Sequence, residues 1–196
     1  TIGNGTWLEE GLASMGRGED ESKLIAFFGR VNYSYKGRYL FNASIRREGS
    51  TRFGENNKWG WFPALSGAWR ISEEPFMAGA KAVSNLKLRA GFGITGNQEI
   101  GNYRSLSILR KGSSNFYYNK KWISTYEPGS NPNPDLRWEK KKEFNVGLDM
   151  SVLDNRLNVT VDYYNRRTKD LLYTYTVPVP PNLYPSKFAN VGTIDN

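Results

Sequence analysis

Apolar and polar residues alternate with a period of two in segment after segment of this chain, the mark of strands with two unlike faces. Phe144, Val146, Leu148, Met150 and Val152 alternate with Asn145, Gly147, Asp149 and Ser151. After Asp154-Asn155, Leu157, Val159, Val161 and Tyr163 alternate with Asn158, Thr160, Asp162 and Tyr164, which predicts a hairpin. A second hairpin sets Phe27, Val31, Tyr33 and Tyr35 against Arg30, Asn32 and Ser34, turns at Lys36-Gly37 and returns through Tyr39, Phe41, Ala43 and Ile45. Leu86, Leu88, Ala90, Phe92 and Ile94 oppose Lys87, Arg89, Gly91, Gly93 and Thr95. The stretch 59–70 reads as a strand despite Pro63, a residue that belongs at strand ends, edges or bulges.

Six strands follow, over 24–35, 39–48, 59–70, 86–95, 142–153 and 156–177, with a seventh beginning near Ala189. The sixth is drawn long because Leu171, Tyr173, Tyr175 and Val177 keep its phase past the charged stretch 166–170. Connections alternate between short turns, at Lys36-Gly37 and Asp154-Asn155, and long ones, over 48–58 and 96–142. The alternation suits an antiparallel transmembrane β-barrel wall with short periplasmic turns and long extracellular loops. By parity 71–85 is periplasmic, and its 73–83 part could hold a helical turn. Tyr33, Tyr35 and Tyr39 at one strand end, and Trp59 and Trp61 at another, match interfacial girdles. Arg46, Arg89 and Asp149 on the opposite faces suit a watered lumen better than a dry sandwich core. The alternative is a soluble β-sandwich, a carbohydrate-binding or adhesin module with one wet sheet face.

Composition sharpens this. No apolar run reaches the roughly 20 residues of a spanning helix, so a membrane reading requires a barrel. Cys and His are both absent from the 196 residues. That removes disulfides, thiolate and imidazole chemistry and most zinc sites, and no acid–base pair suggests an enzyme. The net charge of +8 is spread along the chain, with Lys140-Lys141-Lys142 the one run of three, so nucleic acid is not an expected partner. The first ten residues lack the pattern of a signal peptide.

The segments FGRVNYSYKGRYLFNASIRREGSTRFG, NKWGWFPALSGAWRISEEPF, LKLRAGFGITGNQEIGNY, NPDLRWEKKKEFNVGLDMSVLDNRLNVTVDYYNRRTKDLL and ANVGTIDN occur in this order. Together they closely resemble the C-terminal half of SusC/RagA-type TonB-linked outer-membrane proteins, over about 28–196 with gaps in 104–130. The resemblance implies six or seven strands of a 22-stranded barrel in the bacterial outer membrane, in contact with its lipid. It implies import of oligosaccharides or peptides, a SusD-like surface lipoprotein as lid, and energy from TonB acting through a plug region. Residues 1–196 then form a partial TonB-dependent receptor β-barrel domain, without the plug domain and the terminal strand.

Few residues suggest specific chemistry, and no cofactor or metal is expected. Gly91, Gly93 and Gly96 spell GxGxxG but sit in a strand, with no helix to follow, so close packing explains them better than a nucleotide. Glu73-Glu74 reads as a solvated turn cap. Asp135 and Glu139 are expected to pair with Arg137 or Lys140 and, with Pro132 and Pro134, to brace a stiff loop. The best functional candidates are the aromatics of the long loop, Phe116, Tyr117, Tyr118, Trp122 and Tyr126, which can stack on sugar faces or anchor a protein partner, the equal alternative being that they pack the loop upon itself.

Overall fold

The computed structural model describes residues 5–8, 12–15, 19–80 and 82–196. The strands in chain order are β1 (Gly5–Leu8), β2 (Leu12–Met15), β3 (Leu24–Tyr35), β4 (Tyr39–Ser50), β5 (Trp59–Arg70), β6 (Val83–Asn97), β7 (Leu109–Tyr118), β8 (Lys121–Pro128), β9 (Glu139–Val152), β10 (Leu157–Lys169), β11 (Leu172–Thr176), β12 (Ser186–Asn190) and β13 (Thr193–Asp195). Seven of them form one antiparallel sheet in the order β13-β10-β9-β6-β5-β4-β3, while β1-β2, β7-β8 and β11-β12 pair as separate hairpins. The large sheet is open, with β3 and β13 at its edges.

Register holds the two faces apart across the whole sheet. One lateral row runs Val31, Ala43, Leu65, Phe92, Phe144; the row beside it on the same face runs Tyr33, Phe41, Gly67, Ala90, Val146, Tyr163. The opposite face carries Asn32, Asn42, Ser66, Gly91, Asn145 and Tyr164 in one row. A one-residue slip anywhere would exchange these faces. No second sheet covers the apolar face among the described residues, and Phe27, Val31 and Tyr33 are each more than half exposed. A sandwich would bury them, so the wall reading prevails over the sandwich.

Aromatic belts close both ends of the apolar face. At the short-turn end Tyr39 stacks on Trp69 at 6.3 Å and lies 6.2 Å from Tyr35. At the long-loop end Phe27 stacks on Trp59 at 6.3 Å, and the Arg47 guanidinium lies over Trp59 and Trp61 at 4.7 and 5.2 Å. From Tyr39 to Arg47 the β4 strand covers roughly 27 Å at about 3.4 Å per residue, enough for an outward apolar band about 25 Å tall once tilt is allowed.

A wall between lipid and lumen has no dry interior of its own; the one cluster of buried apolar side chains among the described residues sits where loops fold over the long-loop end. Phe53, Phe62, Ile100, Leu136 and Trp138 form it. Phe53 and Phe62 lie 4.5 and 5.3 Å from Trp138, whose indole N–H donates to the Lys58 carbonyl at 3.1 Å. The Gly54 amide donates to the Leu136 carbonyl at 2.9 Å. Pro63 helps to open this space: β5 pairs with β6 only from Ala64 onward, so Phe62 turns inward past Gly96. A side chain at Gly96 would run into the Phe62 ring and approach Trp138 Cε3 to 3.0 Å, which accounts for this glycine by close packing.

Three expectations change. The sixth strand ends at Lys169, because Asp170 adopts φ 60° and turns the chain out of the wall; the continuing apolar phase belongs to β11, which pairs with β12 outside the sheet. The seventh wall strand begins at Thr193, after Gly192 at φ 82°, since Ala189 lies in β12. Glu74 is buried, not solvated. It accepts from the Trp69 indole at 3.0 Å and from Arg38 at 3.2 Å. The helical turn expected in 73–83 is observed as the 3-10 turn Pro75–Met77, and a second such turn, Ile71–Glu73, precedes it.

Hydrogen bonds from Tyr39 and Trp69, with the charge of Arg38, hold the Glu74 carboxyl below its ordinary 4.5. A depressed folded-state value means that the contribution is complete above 4.5 and is lost as pH falls through the lower folded value. Acidification below pH 4.5 is therefore expected to loosen the turn over 71–78, read as faster amide exchange at Glu74 and Met77 after correction for intrinsic rates. Glu74→Gln should abolish that pH dependence. At the other end, Trp138→Ala removes a fully buried ring, a change that costs about 3–5 kcal/mol. Hydrogen exchange should then show lost protection at Gly54 and Leu136 and unchanged protection in β9 and β10; protection retained at Gly54 would refute the assigned role of the cluster.

Candidate functional site

The long-loop end carries the buried cluster and the β7–β8 hairpin. Between β6 and β9 the expected long loop contains the β7–β8 hairpin, turning at Asn119 and Lys120, both at positive φ. All five predicted aromatics lie on it and all are exposed, Trp122 at 73% and Tyr126 at 70%. They do not form one cluster. Tyr117 and Trp122 are cross-strand partners 5.3 Å apart, and Tyr126 shares their face; Phe116 and Tyr118 point to the other side with Ile123. The hairpin thus presents an aromatic strip on each face, and packing within the loop does not consume these rings.

The larger hollow lies apart from the hairpin. A cavity of about 650 Å³ opens beside the buried cluster, lined by Lys23, Arg52, Phe53, Tyr103, Leu106 and Pro134 among others. Arg52 is fixed there by Asn102 at 2.9 Å and the Gln98 carbonyl at 3.2 Å. The Tyr103 hydroxyl accepts from the Glu21 amide at 3.0 Å. Sequence reasoning missed this cavity, since its walls come from four segments far apart along the chain. The Pro132 and Pro134 spacing was the available signal, and it marked the loop as stiff without showing what it enclosed.

That loop is braced differently from expectation. Asp135 accepts from the Asn56 amide at 2.9 Å, Arg137 pairs with Asp170 at 2.7 Å, and Glu139 accepts from the Leu172 amide at 3.3 Å and Asn97 at 3.4 Å. Neither carboxylate forms an ion pair with Arg137 or Lys140. The hydrogen bond and charge of Asp170 hold the Arg137 guanidinium above its ordinary value. Asparagines do the rest. Asn131 donates to the carbonyls of Tyr184 and Ser186 and accepts from the amides of Leu183 and Tyr184. Asn133 donates to Phe188, and Asn190 bridges Arg137 and Asp170. The segment before β9 is thereby stitched to the β11–β12 hairpin without sharing a sheet.

Along the polar face, Arg89 lies between two aspartates. It makes a forked contact to Asp149 at 2.8 and 2.9 Å and reaches Asp162 at 3.1 Å. Gly147 stands between Arg89 and Asp162 in the ladder, and any side chain there would collide with both. A hollow of about 440 Å³ lies on this face, lined by Asn32, Ser34, Asn42, Ser66, Arg89 and Asn145 among others. Among the described residues no group of metal-binding side chains occurs.

Comparison with known proteins places this geometry. The family profile described as TonB dependent receptor-like, beta-barrel matches residues 4–196. TonB-dependent receptor P39 of Formosa agariphila is 42% identical over 189 residues, covering 96% of this chain and 18% of its own length. TonB-dependent receptor SusC of Bacteroides thetaiotaomicron is 39% identical over 176 residues, covering 88% and 17%. The structure of the RagAB peptide importer in its open-open state superposes with a TM-score of 0.83 at 31% identity, over 96% of this chain and 20% of the other. The chain thus spans less than a fifth of the curated relatives it matches. These relatives are receptors and transporters, not enzymes. An open wall with one lipid-compatible face, belted by aromatics and matched along almost its whole length, belongs to the TonB-dependent receptor β-barrel family of the bacterial outer membrane.

Proposed function

We propose that this chain is part of the barrel wall and extracellular loops of a TonB-dependent importer of oligosaccharides or peptides. Residues 1–196 supply a stretch of the barrel domain, while the plug and the terminal strand belong to other parts of the same protein. The observation that carries the reading is the two-faced wall itself. Its lipid-side face is apolar across six strands, and its other face holds ion-paired and amide side chains suited to water. The long loops mark the outer end. Similarity to a RagAB peptide importer supports a peptide cargo, and likeness to SusC and RagAB supports a SusD-like lipoprotein as lid and energy from TonB through the plug.

The β7–β8 hairpin is the part of this chain that touches cargo or lid. Rigid aromatic rings with few rotatable bonds give contact area at low entropic cost, and here two rings, Tyr117 and Trp122, stand side by side and uncovered.

Two experiments test this on the full-length transporter. The 196 residues contain no cysteine, so Tyr118→Cys and Lys36→Cys report opposite ends of the wall. On intact cells lacking other accessible thiols, a membrane-impermeant reagent should label the first and spare the second; the reverse pattern sinks the assigned orientation. The double variant Tyr117→Ala/Trp122→Ala should reduce uptake or lipoprotein co-purification by roughly tenfold, the scale of a modest aromatic hot spot. Unchanged uptake together with unchanged co-purification would remove the hairpin from the transport site.

A further inference from the structure

Where the apolar face of β9 and β10 ends, the outward phase continues as basic residues. Lys142 stands directly opposite Arg167, and Lys140 directly opposite Lys169. The ladder is unbroken from Val152–Leu157 to Lys140–Lys169, so all four share the face of Phe144, Val146, Leu148 and Tyr163. Like charges placed directly across strands destabilise a sheet, and two such pairs are stacked here.

The flanking strands supply one carboxylate to these four cations. On β6 the neighbours are Ile94 and Gly96. On β13 they are Thr193 and Asp195, and Asp195 is engaged in a forked contact with Arg167. Among the described residues Lys140, Lys142 and Lys169 form no ion pair. The polar face at the same level behaves otherwise, with Lys141 and Arg166 both sharing Glu143, at 3.8 and 2.9 Å. At this level both lumen-side cations share a carboxylate, whereas on the lipid side only Arg167 has one and the three lysines have none.

We infer that this patch binds a phosphate-bearing lipid headgroup of the outer leaflet. Cross-strand neighbours lie about 5 Å apart and alternate residues along a strand about 7 Å apart, so the four cations span the footprint of a phosphorylated headgroup. Their position immediately beyond the apolar band puts headgroup and acyl chains in register with the basic patch and the Phe144–Tyr163 region below it. An isologous contact with a second copy would instead set these cations against themselves. The inference rests on the proposed orientation, with the long-loop end in the outer leaflet.

The test uses full-length transporter purified in detergent, with lipid A and dephosphorylated lipid A of the same acyl composition as probes. Lys140→Gln/Lys142→Gln/Lys169→Gln leaves the Arg167–Asp195 pair in place. Native mass spectrometry should show about fivefold weaker lipid A binding per lysine removed and about a hundredfold for all three, the scale of basic groups at an anionic surface. The corresponding triple arginine variant should bind as the parent does, and dephosphorylated lipid A should bind parent and variant alike. Unchanged lipid A binding in the folded glutamine variant, or equal binding of both lipids by the parent, overturns the site. Loss of self-association with lipid affinity unchanged also overturns it and assigns the patch to a second copy. Reversed thiol labelling would overturn the orientation, and the leaflet assignment with it, whereas unchanged lipid A binding overturns the lipid site alone.

Discussion

Lipid offers no hydrogen bonds, and that single constraint organises this chain. Every amide within the bilayer must be paired by a neighbouring strand, so the wall is a continuous antiparallel ladder whose register cannot slip without reversing its faces. The pairing of β6 with β9 and of β10 with β13 keeps this ladder intact, although long insertions separate each pair in sequence. The insertions are exported from the wall as their own hairpins, β7–β8 and β11–β12.

The same constraint explains where the chain is dry. A strand set facing lipid on one side and a lumen on the other has no buried middle, and burial concentrates at the long-loop end around Trp138, Phe53 and Leu136. Here three devices act together. Pro63 ends a ladder, Gly96 admits a ring, and asparagines replace a sheet in joining the segment before β9 to the β11–β12 hairpin. The cavity beside this cluster follows from it, because the loops that bury Phe53 also form its walls.

Electrostatics divides by face. On the lumen-side wall the Arg89 fork to Asp149, with Asp162 beyond it, sets charge against charge. On the lipid side an arginine is covered by tryptophan rings, whereas Lys140, Lys142 and Lys169 of β9 and β10 face outward without an ion pair among the described residues. The turn at the short-turn end buries one carboxylate, Glu74, among a tyrosine, an indole and a guanidinium.

The period-two pattern by itself determined the strands of the wall, their two faces, the short turns and the aromatic belts, because side-chain alternation is a local consequence of extended backbone. It also placed the aromatic candidates in one long connection. Local phase could not show where a strand leaves the sheet: Tyr173 and Tyr175 continue the alternation of β10, yet Asp170 at positive φ diverts them to another partner. Nor could it show that Glu74 is buried while Glu73 pairs with Arg70 at the surface, or that Arg137 chooses Asp170 over Asp135. The Arg38–Glu74 and Arg137–Asp170 contacts join residues 36 and 33 positions apart. Only the tertiary structure decided them, since a partner supplied by chain reversal leaves no trace in the spacing of its neighbours.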